Sequence, residues 1–174
     1  IEALAEHVKQ ALIQQKGDFV IRCSDGSSVR CHSAVLEARL EHFRLMLRNE
    51  WSESLSHSVN VDYDSGCVLS LLEWVYASTL GICFELPLVD LYRASQFFGI
   101  RELSLELQYL YPEALASDDR TTACDLLLST NEDELRPLFD LTVQFVKDNW
   151  MIFVEHQSFK NLPSELRTLV IAGR

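Results

Sequence analysis

The feature that most constrains this chain is a short run of strand patterning set among segments of helical period. Asp18-Phe19-Val20-Ile21-Arg22-Cys23 reads as a strand, Asp25-Gly26 is a turn signal, and Ser28-Val29-Arg30-Cys31 supplies the return strand of a hairpin. A brief third strand is expected at Ser58-Val59-Asn60-Val61. Strands this short need helices to cover them. The expected class is therefore α+β, a small three-stranded sheet flanked by helices and followed by an all-helical extension.

The helical segments follow from apolar spacing. Ile1, Leu4, Ala5, Val8, Ala11 and Leu12 recur as one stripe of an amphipathic helix that Gly17 ends. His32 to Ala38 and Leu40 to Asn49 form two short helices, and an apolar helix runs through Val68, Leu69, Leu71, Leu72, Val75 and Tyr76. Pro87 to Phe98 is helical, Gly99 breaks it, and Glu102 to Tyr111 is helical again. Pro112 to Asp119 is the most linker-like stretch, because a proline and a Ser-Asp-Asp cluster interrupt the periodicity. Beyond it, Thr121 to Ser129, Glu132 to Asp148 and Pro163 to Ala172 read as helices, the second capped by Thr130 or Asn131. The expected organisation is an N-terminal helix over 1–17, a mixed domain over 18–116 and helices over 117–174.

Composition narrows the function. Of 174 residues, 48% are hydrophobic, enough for a core, and 26 acidic against 15 basic side chains leave a net charge of −11. Such a surface repels phosphate backbones and anionic headgroups, so nucleic acid and membranes are poor partners. No stretch approaches the roughly 18 consecutive apolar residues of a membrane span, and Ile1-Glu2-Ala3-Leu4 is no signal peptide. Since the sequence begins with Ile1 and no initiator Met, an excised fragment of a longer protein is expected. Cys23, Cys31, Cys67, Cys83 and Cys124 are an odd set without a close C-x-x-C pair. They are expected as reduced core thiols of a cytoplasmic, or nuclear, protein.

No catalytic constellation emerges. His7, His32, His42, His57 and His156 fall on separate elements without metal-ligand spacing, so neither zinc nor another metal is expected. Cys31-His32 are adjacent, but neighbouring side chains on a strand point to opposite faces, and a buried structural pair fits better than a nucleophile with its base. There is no G-x-S-x-G and no phosphate loop, so no cofactor is expected. Asp62 and Asp64, or Asp118 and Asp119, sit in turns, where carboxylates are solvated or cap helices.

The informative features are surfaces. Trp51 lies just past a helix end among Asn49-Glu50 and Ser52-Glu53-Ser54, polar company that gives it little local reason to be buried. Exposed aromatics of this kind anchor interfaces, with truncation costing about 2 kcal/mol or more. Phe97-Phe98 adds a second hint: adjacent helical residues differ by about 100° in direction, so one of the two must face outward. The stripe Leu4, Val8 and Leu12 can cover its own core or bury itself in a second copy of the chain.

Asp18-Phe19-Val20-Ile21, Cys31-His32-Ser33-Ala34-Val35-Leu36, Phe43-Arg44-Leu45-Met46-Leu47 and Val75-Tyr76, in this order, resemble the BTB (POZ) family over about residues 18–111. Ser33 stands where a lysine is usual, Leu40-Glu41 where Ser-Pro is usual, and Ala77-Ser78 where Thr-Gly is usual. The helices from Thr121 onward resemble the 3-box and the beginning of a BACK domain of cullin-3 adaptors. The resemblance implies a non-catalytic adaptor of a cullin-3 RING ubiquitin ligase, with substrate held by other parts of the full-length protein. Trp51-Ser52-Glu53 would occupy the place of the hydrophobic-x-Glu motif that docks on the cullin, with Phe97 flanking the same surface. Homodimerisation would run through Leu4, Val8 and Leu12. The alternative is a POZ oligomerisation or transcriptional scaffold without cullin binding, in which Trp51 only covers a helix end.

Overall fold

In a computed structural model of the chain, which describes residues 17–48, 56–78, 88–117, 120–129 and 135–172, the strand patterning resolves into a three-stranded mixed sheet. Strand β1 (Phe19–Arg22) is central, with β2 (Ser28–Cys31) antiparallel on one side and β3 (Ser58–Asn60) parallel on the other. Phe19 faces Cys31 and Arg22 faces Ser28, while Val20 to Arg22 run beside Ser58 to Asn60. The hairpin turn forms where expected. Gly26 takes φ 81°, and the Cys23 and Gly26 N–H groups donate to Ser27 and Cys23 carbonyls at 3.0 and 3.1 Å. Alternation buries Phe19, Ile21, Val29 and Cys31 on one face.

A parallel pairing needs a crossover, and helices α1 (Ser33–Arg39) and α2 (Glu41–Arg48) lie in it. After β3 come α3 (Ser65–Ala77), α4 (Leu88–Phe97) and α5 (Arg101–Ser117). Asp64 caps α3 by accepting the Cys67 N–H at 2.7 Å. Cys67, Val68, Leu71, Leu72, Trp74 and Val75 bury one broad face of that helix, while Leu69, part of the same apolar run, is 44% exposed on the other. It contacts β2, α1 and α4. Ser78, in the position where the family resemblance expects glycine, closes α3 in the left-handed region at φ 55°, its N–H on the Trp74 carbonyl at 2.7 Å. Arg39 holds it there through the Ser78 hydroxyl at 2.5 Å. Gly17, assigned from sequence to stop the first helix, is buried against the Cys31 backbone, where any Cβ would collide with the Cys31 carbonyl.

Two compact units are present, residues 1–104 and 105–174. The linker-like stretch after Tyr111 proves helical as far as Ser117, because α5 continues through Pro112. A mid-helix proline costs about 3 kcal/mol. Burial of Leu107, Tyr111 and Leu115 at every fourth position offsets that cost, reinforced by the Tyr111 hydroxyl bonded to Thr142 Oγ1 at 2.9 Å. The later helices are α6 (Arg120–Ser129), α7 (Arg136–Asp148), α8 (Trp150–Phe153), α9 (Gln157–Lys160) and α10 (Ser164–Ala172). α7 is described from Arg136, with Pro137 in its first turn, where the missing N–H breaks no intrahelical bond; residues 132–134, where its start was expected, lie outside the described residues. The caps expected at Thr130 and Asn131 lie outside the described residues. α7 packs against α6, α8 and α10 around Leu127, Leu138, Phe139, Val146, Phe153 and Val170.

Candidate functional site

The C-terminus of α4 separates its two adjacent phenylalanines. Leu91, Tyr92, Ala94 and Ser95 are buried, which places Phe98 on the inner face and Phe97 100° away from it. Phe98 is 2% exposed and Phe97 is 58% exposed. The turn that ends the helix is a Schellman motif. The Ile100 N–H reaches the Ser95 carbonyl at 2.7 Å, the Gly99 N–H reaches Gln96 at 3.1 Å, and Gly99 supplies the left-handed residue at φ 68°.

Around Phe97 the rings form a continuous set. Its centroid lies 4.9 Å from Phe98, 5.4 Å from His42 at the start of α2 and 6.4 Å from Tyr63 in the turn after β3. His42 also meets Phe43 and Phe98 edge-on at 5.8 and 5.7 Å, and Phe43 stacks on Phe98 at 5.4 Å. Phe97 is therefore a rigid ring standing on a buried aromatic base. Leu45, one turn along α2 from His42, is 53% exposed on the same side of that helix. Partial burial raises the Tyr63 phenol above its usual range and keeps it neutral. The ion pairs nearby, Arg93 with Asp90 at 3.4 Å and Arg44 with Glu41 at 2.7 Å, are solvated and contribute little to stability. An apolar projection with a charged margin is suited to binding another protein.

Of the residues expected to act, Phe97 is described, and it is the outward-facing member of its pair as the 100° rule requires. Trp51, Ser52 and Glu53, and the stripe Leu4, Val8 and Leu12, lie outside the described residues. His42 and Tyr63 were missed as companions of Phe97. His42 stands beside Phe43 on a helix, but no sequence spacing connects either residue to position 97.

The Cys31-His32 pair resolves as structural. Burial pushes the Cys31 thiol up to about 12, and its sulfur donates to the Phe19 carbonyl at 3.8 Å. His32 Nδ1 is engaged by the Tyr76 hydroxyl at 2.8 Å, and the same hydroxyl accepts the His32 backbone N–H at 2.8 Å. A protonated thiol whose neighbouring imidazole is bonded elsewhere is no nucleophile. Next to it, the Asp18 carboxylate accepts the Ser33 N–H at 2.9 Å and the Ser33 hydroxyl at 2.5 Å, capping α1 from the sheet. These two bonds hold the Asp18 carboxyl below its usual range. Cys23, Cys31, Cys67 and Cys124 carry free, buried thiols, and Cys83 lies outside the described residues. Among the described residues, no three His, Cys, Asp or Glu side chains group as metal ligands, and no helix is long and apolar enough to cross a membrane.

Comparison with known proteins agrees with this architecture. Residues 9–111 match the family model of the BTB/POZ domain. BTB/POZ domain-containing protein 9 of Drosophila melanogaster is 23% identical over 139 residues, covering 79% of this chain and 19% of the relative. That similarity is longer than the domain match, so it continues into the helices beyond residue 111. The chain spans about a fifth of that relative's length.

Proposed function

The chain belongs to the BTB/POZ family, and from that premise we propose that it is a non-catalytic substrate-adaptor module of a cullin-3 RING ubiquitin ligase, homodimerising and binding the cullin N-terminal domain. BTB domains are protein–protein interaction modules that mediate self-association and contacts with protein partners, generally without catalysis. The observation that carries the finer reading is Phe97, half exposed on its aromatic base at the end of α4. There the family resemblance puts the flank of a cullin-docking surface whose centre would be Trp51-Ser52-Glu53.

Two further observations support an adaptor over a transcriptional scaffold. Ser33 occupies the Asp18 carboxylate that a basic residue would otherwise pair with in a corepressor pocket. Helices α6 to α10 follow the BTB domain, as a 3-box and partial BACK region over 117–174 would. Within the family, Ala38-Arg39-Leu40-Glu41-His42-Phe43 followed by Trp51-x-Glu53 resembles the second BTB domain of the inhibitor of Bruton tyrosine kinase. Dimerisation through Leu4, Val8 and Leu12 would present two cullin sites per assembly. Ubiquitin transfer would depend on effective concentration, with substrate held by other domains near the ligase's catalytic arm. Buried free thiols suit the reducing cytoplasm or nucleus.

Size-exclusion chromatography with the cullin-3 N-terminal domain tests this. The chain should co-elute with it, and Trp51→Ala, Glu53→Lys or Phe97→Ala should remove the complex while leaving the thermal melt unchanged. Failure of the intact chain to co-elute leaves the oligomerisation scaffold as the function.

A further inference from the structure

Helix α5 carries a second apolar stripe that its own unit does not use. The inner stripe, Leu107, Tyr111 and Leu115, is buried. On the opposite side Leu105, Tyr109, Pro112 and Ala116 follow one another by steps of four, three and four residues, all exposed, with Leu105 at 55% and Tyr109 at 83%. Those steps keep the four side chains within one narrow seam about 16 Å long, the a/d spacing by which one helix receives another. Pro112 adds a rigid ring to the seam.

One flank of the seam is acidic. Glu106 and Glu113 are seven residues apart and so stand one above the other along the same edge, in a chain of net charge −11. A second copy of the chain would bring the same acidic edge against it, a like-charge arrangement that costs affinity. We infer that the outer face of α5 docks an amphipathic helix of a protein partner whose apolar seam is flanked by lysine or arginine.

The test is fluorescence anisotropy on the full 174-residue chain. The probes are two helical peptides of three heptads with Leu at a and d, one with Lys and the other with Glu at e and g. The Lys-flanked peptide should bind at least about tenfold more tightly than the Glu-flanked one, and Tyr109→Ser or Leu105→Ser should weaken it at least about tenfold. Both replaced side chains are exposed, so the thermal melts of the variants should match that of the parent. Phe97→Ala should leave the affinity unchanged. Equal binding by parent and Tyr109→Ser would reduce the interaction to bulk charge attraction and overturn the proposal. A loss on Phe97→Ala in place of Tyr109→Ser would move the peptide to the Phe97 cluster and overturn it equally. A light-scattering mass that falls on Tyr109→Ser would assign the seam to a second copy instead.

Discussion

The sheet-bearing unit and the helical unit hold their elements by different means. In residues 1–104, polar side chains distant in sequence close helix ends: Asp18 caps α1 through Ser33, Tyr76 clasps His32, and Arg39 holds Ser78 at the end of α3. In residues 105–174, among the described residues, Tyr111 with Thr142 is such a long-range clasp, and the polar bonds on α7 are local ones of the type Arg136 to Asp140 and Gln144 to Asp148. The sheet unit therefore orients its surface by specific contacts, down to which of two adjacent phenylalanines faces water. The helical unit is organised by apolar periodicity, which leaves room for a second stripe on one helix.

The contrast can be broken experimentally, most strongly at Phe98. Phe98→Ala removes the stacked base of the aromatic cluster and should cost about 3–5 kcal/mol in urea unfolding. A loss under about 1 kcal/mol would mean that the ring anchors nothing. Gly17→Val forces a side chain into the Cys31 carbonyl and should cost about 2–3 kcal/mol by the same measurement. In the helical unit, Tyr111→Phe deletes one buried hydroxyl while Thr142 still donates to the Leu138 carbonyl at 2.8 Å, so about 1 kcal/mol is expected. A much larger loss would show that this unit, too, depends on its long-range clasp.

Two smaller effects sharpen the comparison. The Asp18 carboxyl titrates lower in the folded chain than its ordinary 3.8 because Ser33 donates to the carboxylate. Its stabilisation is therefore fully present above the unfolded value and is lost as pH falls through the folded one. Asp18→Asn should flatten the acid limb of the stability-versus-pH curve and leave the slope near neutrality unchanged. Phe97→Ala should change stability by no more than about 0.5 kcal/mol, since the ring is mostly in water, while removing partner binding. If it destabilises the chain as Phe98→Ala does, Phe97 belongs to the core.

Much of the sheet unit could be read directly. The hairpin was legible because Asp25-Gly26 separates two β-prone runs, and α3 because its apolar residues are dense enough to demand burial. That one ring of Phe97-Phe98 faces outward followed from helical geometry alone, and the burial of Phe98 decided which. The continuation of α5 through Pro112 was not legible, since local propensity argues for a break and only the packing of Tyr111 and Leu115 overrides it. His42 and Tyr63 stayed hidden for a related reason: they reach Phe97 from two other elements.

From sequence alone came the alternation, the turn glycines and the helical stripes, and with them the α+β class and the family resemblance. These are local quantities, set by neighbours a few residues away. Tertiary structure decided that Asp18 is spent on capping α1, that Cys31 is an inert thiol, and that His42 and Tyr63 gather beside Phe97. Each of those outcomes depends on which residues the fold brings together across the chain, and burial and hydrogen bonding act only after that meeting has occurred.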